Sequence, residues 1–312
     1  MPALLVHYTS AVKIDKELHF KHFESLALGA QGPDTFMAYG TVPWHKREDK
    51  KIINPWGAKM HHTPVEDVYV KMMSYALKQA EKEVLFDFIE GLFLHFALDR
   101  VMHPYIFART GFDEKGELHG FYKWSHGFFE AILDKDFSKR HGTYKKTWKV
   151  LSCPKDDLKA ISKMWYACAP YPLKEDSFEK SQIDYVSAMK MIYTHTGLRR
   201  PFLKLILGKY SAGYAQSMPA STRRYRVLDV ENKTHRMWRD PTSGRETNLS
   251  CDEMLEKALN EFKQVHVLIE KAKQGDDVYE QVKAWAANLD HDGTPYGEEK
   301  HYYSLCWDAL KS

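Results

Sequence analysis

Between Glu90 and Tyr105 the chain reads EGLFLHFALDRVMHPY, and His95, Asp99 and His103 recur there every four residues. Four residues return to nearly the same side of an α-helix, with about 40° of drift and about 6 Å of rise per step. Leu85, Phe88, Ile89, Leu92 and Phe96 mark the same stripe as the one that faces the core. Two imidazoles and a carboxylate therefore lie on or beside a buried face, and a buried carboxylate is costly unless it is paired or coordinates a cation. A second helical pattern carries His126 and Glu130, again four apart. Asp34 stands in the tight turn GPD, which holds its carboxylate on a short tether, and His61 and His62 precede a helix in MHHTP. With His7 and His119, seven of the sixteen histidines fall near other ligand-type residues in the first 130 positions. Any one of them alone reads as a surface or hydrogen-bonded core histidine. Their joint pattern points to a metal cluster. Nitrogen and oxygen donors without cysteine suit Zn²⁺ in a hydrolytic site that keeps one position for water. A carboxylate that bridges two ions between imidazoles is also how multi-metal phosphoesterase sites are built.

The order Asp34, His61/His62, His95-x3-Asp99-x3-His103-Pro104, His126-x3-Glu130 resembles the zinc-dependent phospholipase C family. That family is all-α, binds up to three zinc ions and is related to the secreted fungal single-strand nucleases; the likeness covers residues 1–135. It implies that Asp34, one of His61 and His62, His95 and Asp99 bind a first zinc ion, and that His103, His126 and Glu130 bind a second. Asp99 would bridge to a third ion shared with His7, and Asp34 would also act as general base toward the attacking water. The implied activity is hydrolysis of a phosphodiester by a metal-bound hydroxide, with a phosphate-ester substrate such as a phospholipid headgroup. A nuclease or small-molecule phosphodiesterase on the same site is the alternative enzyme, and a metal-stabilised helical binding module without turnover is the non-enzymatic one. The chain departs from the secreted members twice. They place the second-ion histidine six residues after the bridging Asp, where this chain has Tyr105, and they use the amine of a Trp freed by signal cleavage, where it has Met1-Pro2. That amine, a water or nothing takes the corresponding place. His119 is a spare imidazole on the face of His126.

Helices are expected to position these groups. The pattern is helical from His7 to about Leu28, and GAQGPDTFMAYG, from Gly29 to Gly40, breaks it with three glycines and a proline. A loop through Trp44 to Trp56 follows, then a helix after Pro64. The ligand-bearing helix spans about Glu81 to His103, with Pro104 as its stop. Phe112–Glu117 reads as a turn, and helices are expected from Leu118, over Asp157–Cys168, from Asp176 or Ser177 to Gly197, and over Phe202–Tyr210. Met218–Asn248 is turn-rich, Ser250 with Glu253 forms a capping box for a helix to about Lys273, and the last helix covers Val278–Leu289. Without an internal repeat or β alternation the fold class is all-α. By the resemblance it is a multi-helix phospholipase C/nuclease-like bundle: residues 1–135 form the core of the metal-binding domain, and 136–312 add further helices in one continuous α domain.

Bulk composition narrows the function classes. At 312 residues, 44% hydrophobic and 13% aromatic, the chain can bury a sizeable core. A net charge of +3 does not by itself indicate a nucleic-acid partner. Charge is uneven, however: eleven Lys/Arg between Arg199 and Arg245 face only Asp229, Glu231 and Asp240. That is a solvated basic face, or a surface for phosphate groups or anionic lipid. Four scattered cysteines form no CxxC pair. No basic leader with a long apolar run and no stretch of 18 apolar residues is present, so the expected location is cytoplasmic with no transmembrane segment. DHDGTPYGEE, from Asp290, resembles a calcium loop but places His301 at its twelfth position, and His291-Asp292 is followed by Gly293, which does not suit a helix-borne HD phosphohydrolase pair. The aromatics at 36–56 and 122–124 read as core before headgroup pocket.

Overall fold

The computed structural model describes residues 4–192, 198–208, 211–217 and 221–304. In chain order its helices are α1 (Leu4–Leu18), α2 (Phe23–Gly29), a 3-10 helix (Gly32–Ala38), α3 (Lys50–Ile53), α4 (Trp56–His61) and α5 (Val65–Ala76). Then come α6 (Lys82–Thr110), α7 (Gly120–Arg140), α8 (Thr147–Val150), α9 (Lys155–Cys168), α10 (Ser177–Ile192), α11 (Arg200–Leu207) and α12 (Ala212–Ala215). A second 3-10 turn (Arg223–Leu228) precedes a two-residue antiparallel pair, Trp238–Arg239 (β1) with Glu246–Thr247 (β2), before α13 (Cys251–Lys273) and α14 (Tyr279–Ala286). The all-α expectation holds for the described residues, apart from that small hairpin inside the turn-rich segment. Gly197, Tyr210, Met1-Pro2, Met218 and Cys306 lie outside the described residues.

Helix α6 is the axis of the molecule. Every residue from Val84 to Thr110 is buried, as an element that is apolar nearly all round must be. α2 and α13 lie along it, with α5, α7 and α1 on its other sides. Residues from Leu4 to Ala286 contribute to the same core, so both halves of the chain pack into it. The approach of α2 depends on two glycines. A Cβ on Gly29 would run into the Phe88 carbonyl, and one on Gly91 would overlap the Leu26 carbonyl and come within 2.7 Å of the Ala30 nitrogen. Their absence lets the backbones touch.

Several boundaries differ from expectation: the loop expected through Trp44 to Trp56 contains α3, and α4 and α8 are helices where none was expected. The stretch expected as one helix to Leu28 is two, separated at His19, whose φ is +57°. The Gly29–Gly40 break contains the 3-10 helix that carries Asp34. Pro104 does not end α6, which runs on to Thr110. Proline lacks the N–H that would reach the Arg100 carbonyl and crowds that carbonyl, but packing on every side holds the helix together beyond it. Gly293 is seated at that place: a Cβ there would clash with the Arg100 carbonyl and lie 2.9 Å from Pro104 Cγ. The Ser250 capping box is present, with Glu253 Oε2 accepting from the Ser250 N–H at 2.8 Å. No helix among the described residues is long and apolar enough to cross a membrane.

Replacing Gly91 by Ala should force α2 from α6 and destabilise the fold by about 1–3 kcal/mol, the usual cost of overpacking. Chemical denaturation checks it; a midpoint unchanged from wild type would show that the close approach is not required.

Candidate metal centre

Five separate elements converge on the middle and C-terminal half of α6. The helix itself contributes His95, Asp99 and His103, α7 contributes His126 and Glu130, α1 His7, the 3-10 helix Asp34, and α4 His61. All eight are at most 6% exposed. Asp99 is at the middle: its Oδ1 lies 3.0 Å from His7 Nε2 and 3.6 Å from His103 Nε2. Its Oδ2 lies 3.0 Å from His95 Nε2 and 3.8 Å from His61 Nε2. Asp34 Oδ1 is 3.2 Å from His61 Nε2, and Glu130 Oε1 is 3.2 Å from His126 Nε2. The ion-pair partners of the three carboxylates are thus imidazoles rather than lysine or arginine.

The local fold aims each imidazole. The Gly29–Gly91 contact brings the Ala30 carbonyl to 3.1 Å from His95 Nδ1. A bond there leaves His95 Nε2 as the nitrogen that faces inward. Gly32, at φ +57°, lets the chain cross the face of that ring, where a Cβ would overlap it, and so delivers Asp34. The Gly57 carbonyl lies 2.6 Å from His61 Nδ1, and Asp292 Oδ1 lies 3.0 Å from His103 Nδ1. In all three the outer nitrogen is engaged by an oxygen acceptor, the arrangement that orients histidines toward a metal. Asp134 of α7 accepts from the Leu5 and Val6 N–H groups at 2.8 and 2.9 Å, which fixes the start of α1 and with it His7. His7 stacks on His95 with ring centroids 4.5 Å apart.

Three triads of donor atoms close enough to share an ion follow: His7, His95 and Asp99; Asp34, His61 and His95; and His103, His126 and Glu130. Both oxygens of Asp34 and of Glu130, Asp99 Oδ2, and Nε2 of His95 and His103 are buried without a hydrogen-bond partner. Native interiors rarely leave so many polar atoms unpaired in one place unless an ion or water serves them. The residues present therefore fit a metal cluster. Charge agrees. Burial pushes the Asp99 carboxyl up, but His103, His95 and His7 outweigh it and hold the group well below the usual carboxylate range. Burial likewise works against the charged form of His103, yet Asp99, Asp292 and Glu130 drive its pKa up to about 10. For His7 burial prevails and lowers the pKa.

The centre forms the floor of an open cleft of about 630 Å³, with Lys115, Glu117, Glu298, Glu299 and Lys300 at its mouth. Of the two adjacent histidines, His61 enters the centre. His62 points outward, its side chain 59% exposed and its Nδ1 2.9 Å from Asp290 Oδ2. His119 is not beside His126: it precedes α7, is exposed, and pairs with Glu117 at 2.7 Å. Tyr105 points away from the centre, and its hydroxyl donates to the Val230 carbonyl at 3.1 Å. Of the aromatics expected as core, Phe36, Tyr39, Trp56 and Trp124 are buried, whereas Trp44 is 59% exposed.

Sequence reasoning missed the loop from Asp290 to Lys300 as part of this site. Asp290 folds it by accepting from the N–H groups of Asp292 and Thr294 at 2.9 and 3.0 Å. Asp292 stands between His103 and Lys300, whose Nζ lies 2.9 Å from Oδ2. His291 is fully buried, 3.2 Å from the His61 carbonyl through Nδ1, and its ring lies 4.8 Å from that of His61. The available signal was the acidic, glycine-bearing DHDG turn, whose partners in the centre are 189 to 230 residues away in the chain. No protein-family model, curated protein or solved structure matches this chain. What the fold and site define is an all-α protein with a buried cluster of histidines and carboxylates that could hold metal ions.

Replacing Asp292 with Ala should weaken metal binding at His103, His126 and Glu130 by about 10–100-fold, the usual effect of losing such an outer partner. Binding must also displace the His103 proton, so wild-type affinity should rise with pH through neutrality. Competition with a chromophoric chelator reads both; an affinity indifferent to Asp292 would contradict the assignment.

Proposed function

We propose that the chain is a zinc-dependent phosphoric ester hydrolase of the phospholipase C type, acting on a phosphodiester in the cleft above Asp99. The observation that carries this reading is the unpaired floor: three carboxylates and five imidazoles share one buried centre, open to a cleft on one side. Nitrogen and oxygen donors without thiolate favour zinc over softer choices. His7, His95 and Asp99, Asp34 with His61 and His95, and His103 with His126 and Glu130 would hold two ions and a third. Zinc supplies, when bound, Lewis acidity toward phosphoryl oxygens and a water made more acidic.

The chain's own groups do the rest. Asp34 has both oxygens free of hydrogen bonds and lines the cleft, so its carboxylate can accept a proton from water entering there. Burial raises the Asp34 pKa, but His61 more than offsets it and keeps the carboxyl ionised as a base must be. Asp292, anchored by Lys300, holds His103 in orientation. Glu117, Glu298, Glu299 and Lys115 line the cleft, while Lys300 is paired with Asp292. A rim with this share of acids repels a polyanionic strand and favours a compact ester such as a phospholipid headgroup, which ranks the nuclease reading second.

Assayed side by side, phosphocholine and phosphatidylinositol esters and single-stranded DNA separate these readings, with the lipid-type ester expected to be cleaved fastest. Asp99→Asn should lower that hydrolysis by at least about a hundredfold, since it removes the shared anionic group while keeping the shape. Full phosphodiesterase activity in that variant would overturn the hydrolase reading.

A further inference from the structure

Outside the metal centre, α11 carries a second unexplained feature. Phe202, Leu205 and Ile206, spaced i, i+3 and i+4 on one face, are 67, 83 and 76% exposed. Leu203 on the inner side is buried. The helix is firmly mounted. Arg200 lies over the rings of Phe128 and Tyr214, at 4.9 and 4.8 Å, and donates to the Ser217 carbonyl at 2.7 Å. The following helix, α12, rests on α7 at the residue next to His126, where a Cβ on Gly127 would lie 3.4 Å from Ala215. The exposed apolar face thus stands on a helix anchored to α7 and α12 through Arg200.

The flanking stretch of chain carries charge of one sign. From Tyr185 to Leu228 the chain has eight Lys/Arg (190, 199, 200, 204, 209, 223, 224, 226) and no Asp or Glu. An ordinary solvated helix would show polar residues on its outer face. A nucleic acid would use the cations but gain little from Leu205 and Ile206. A second copy would bring like charges together, and three side chains on two turns supply far less than the roughly 800 Å² per partner of a stable interface. An anionic bilayer satisfies both features: the apolar face enters the boundary between headgroups and acyl chains, and the cations meet the lipid charge. We propose that α11 is a docking helix that lays Phe202, Leu205 and Ile206 into the surface of an anionic lipid membrane. This rests on α11 and its charge, independently of what the metal centre does.

The test is sedimentation of the full chain with vesicles of phosphatidylcholine alone and of phosphatidylcholine with phosphatidylserine. Wild type should partition onto the phosphatidylserine vesicles at least about tenfold better, and raised salt should weaken that binding. The double variant Leu205→Glu/Ile206→Glu should lose at least about tenfold, and Lys204→Glu should lose the preference for phosphatidylserine, with unchanged melting temperatures because all three side chains are exposed. Failure of wild type to bind either vesicle would overturn the proposal, as would full binding by the double variant. A dimer that the double variant dissolves would reassign the face to a second copy, and an oligonucleotide bound in preference to vesicles would reassign the basic surface; either result also overturns it.

Discussion

Asp99 is an ionised carboxylate inside a helix that is buried on every side, and most of the architecture around it serves to make that position tolerable. A bare charge there would be strongly disfavoured by desolvation. Four imidazoles within 3.8 Å supply the compensation, and they arrive from α1, α4 and two turns of α6 itself. Gathering them requires small residues at defined points. Gly29 and Gly91 let α2 touch α6, and Gly32 lets the chain pass over His95. The imidazoles must also present the correct nitrogen, which the carbonyls of Ala30 and Gly57 and the carboxylate of Asp292 arrange from outside.

The second half of the chain belongs to the same construction. α13 packs along α6, and the loop after α14 returns to cover the centre at the point where Pro104 interrupts the helix ladder. His103 illustrates the dependence: it lies just before that proline, its inner nitrogen faces Asp99, and its outer nitrogen is held by Asp292 from the far end of the chain. A site composed of first-half donors is completed by second-half supports.

Much of this was legible in the residues. The four-residue spacing of His95, Asp99 and His103 and the pair His126 and Glu130 need only helical geometry to share a face, and the structure brings them together. Asp34 and His7 are likewise in the centre. Local rules also placed α13 through its capping box. What escaped were features decided by distant packing. Pro104 carries a local helix-stop signal, but burial on all sides carries α6 past it. Adjacent positions 61 and 62 are indistinguishable by type, and only the end of α4 decides that His61 turns inward. His119 shares a helical pattern with His126 but precedes the first turn of α7, so it stays with Glu117 in solvent. Asp292 and Lys300 act across a separation that no spacing rule spans.

The central claim is that this buried charge and its imidazoles exist to hold metal. Zinc content per chain, measured by elemental analysis on protein produced with zinc and freed of loosely bound ions, tests it most directly. The account predicts at least two zinc ions per chain, both lost from a chain carrying Asp99→Asn together with Glu130→Gln. Fewer than two ions in the wild-type protein would contradict it.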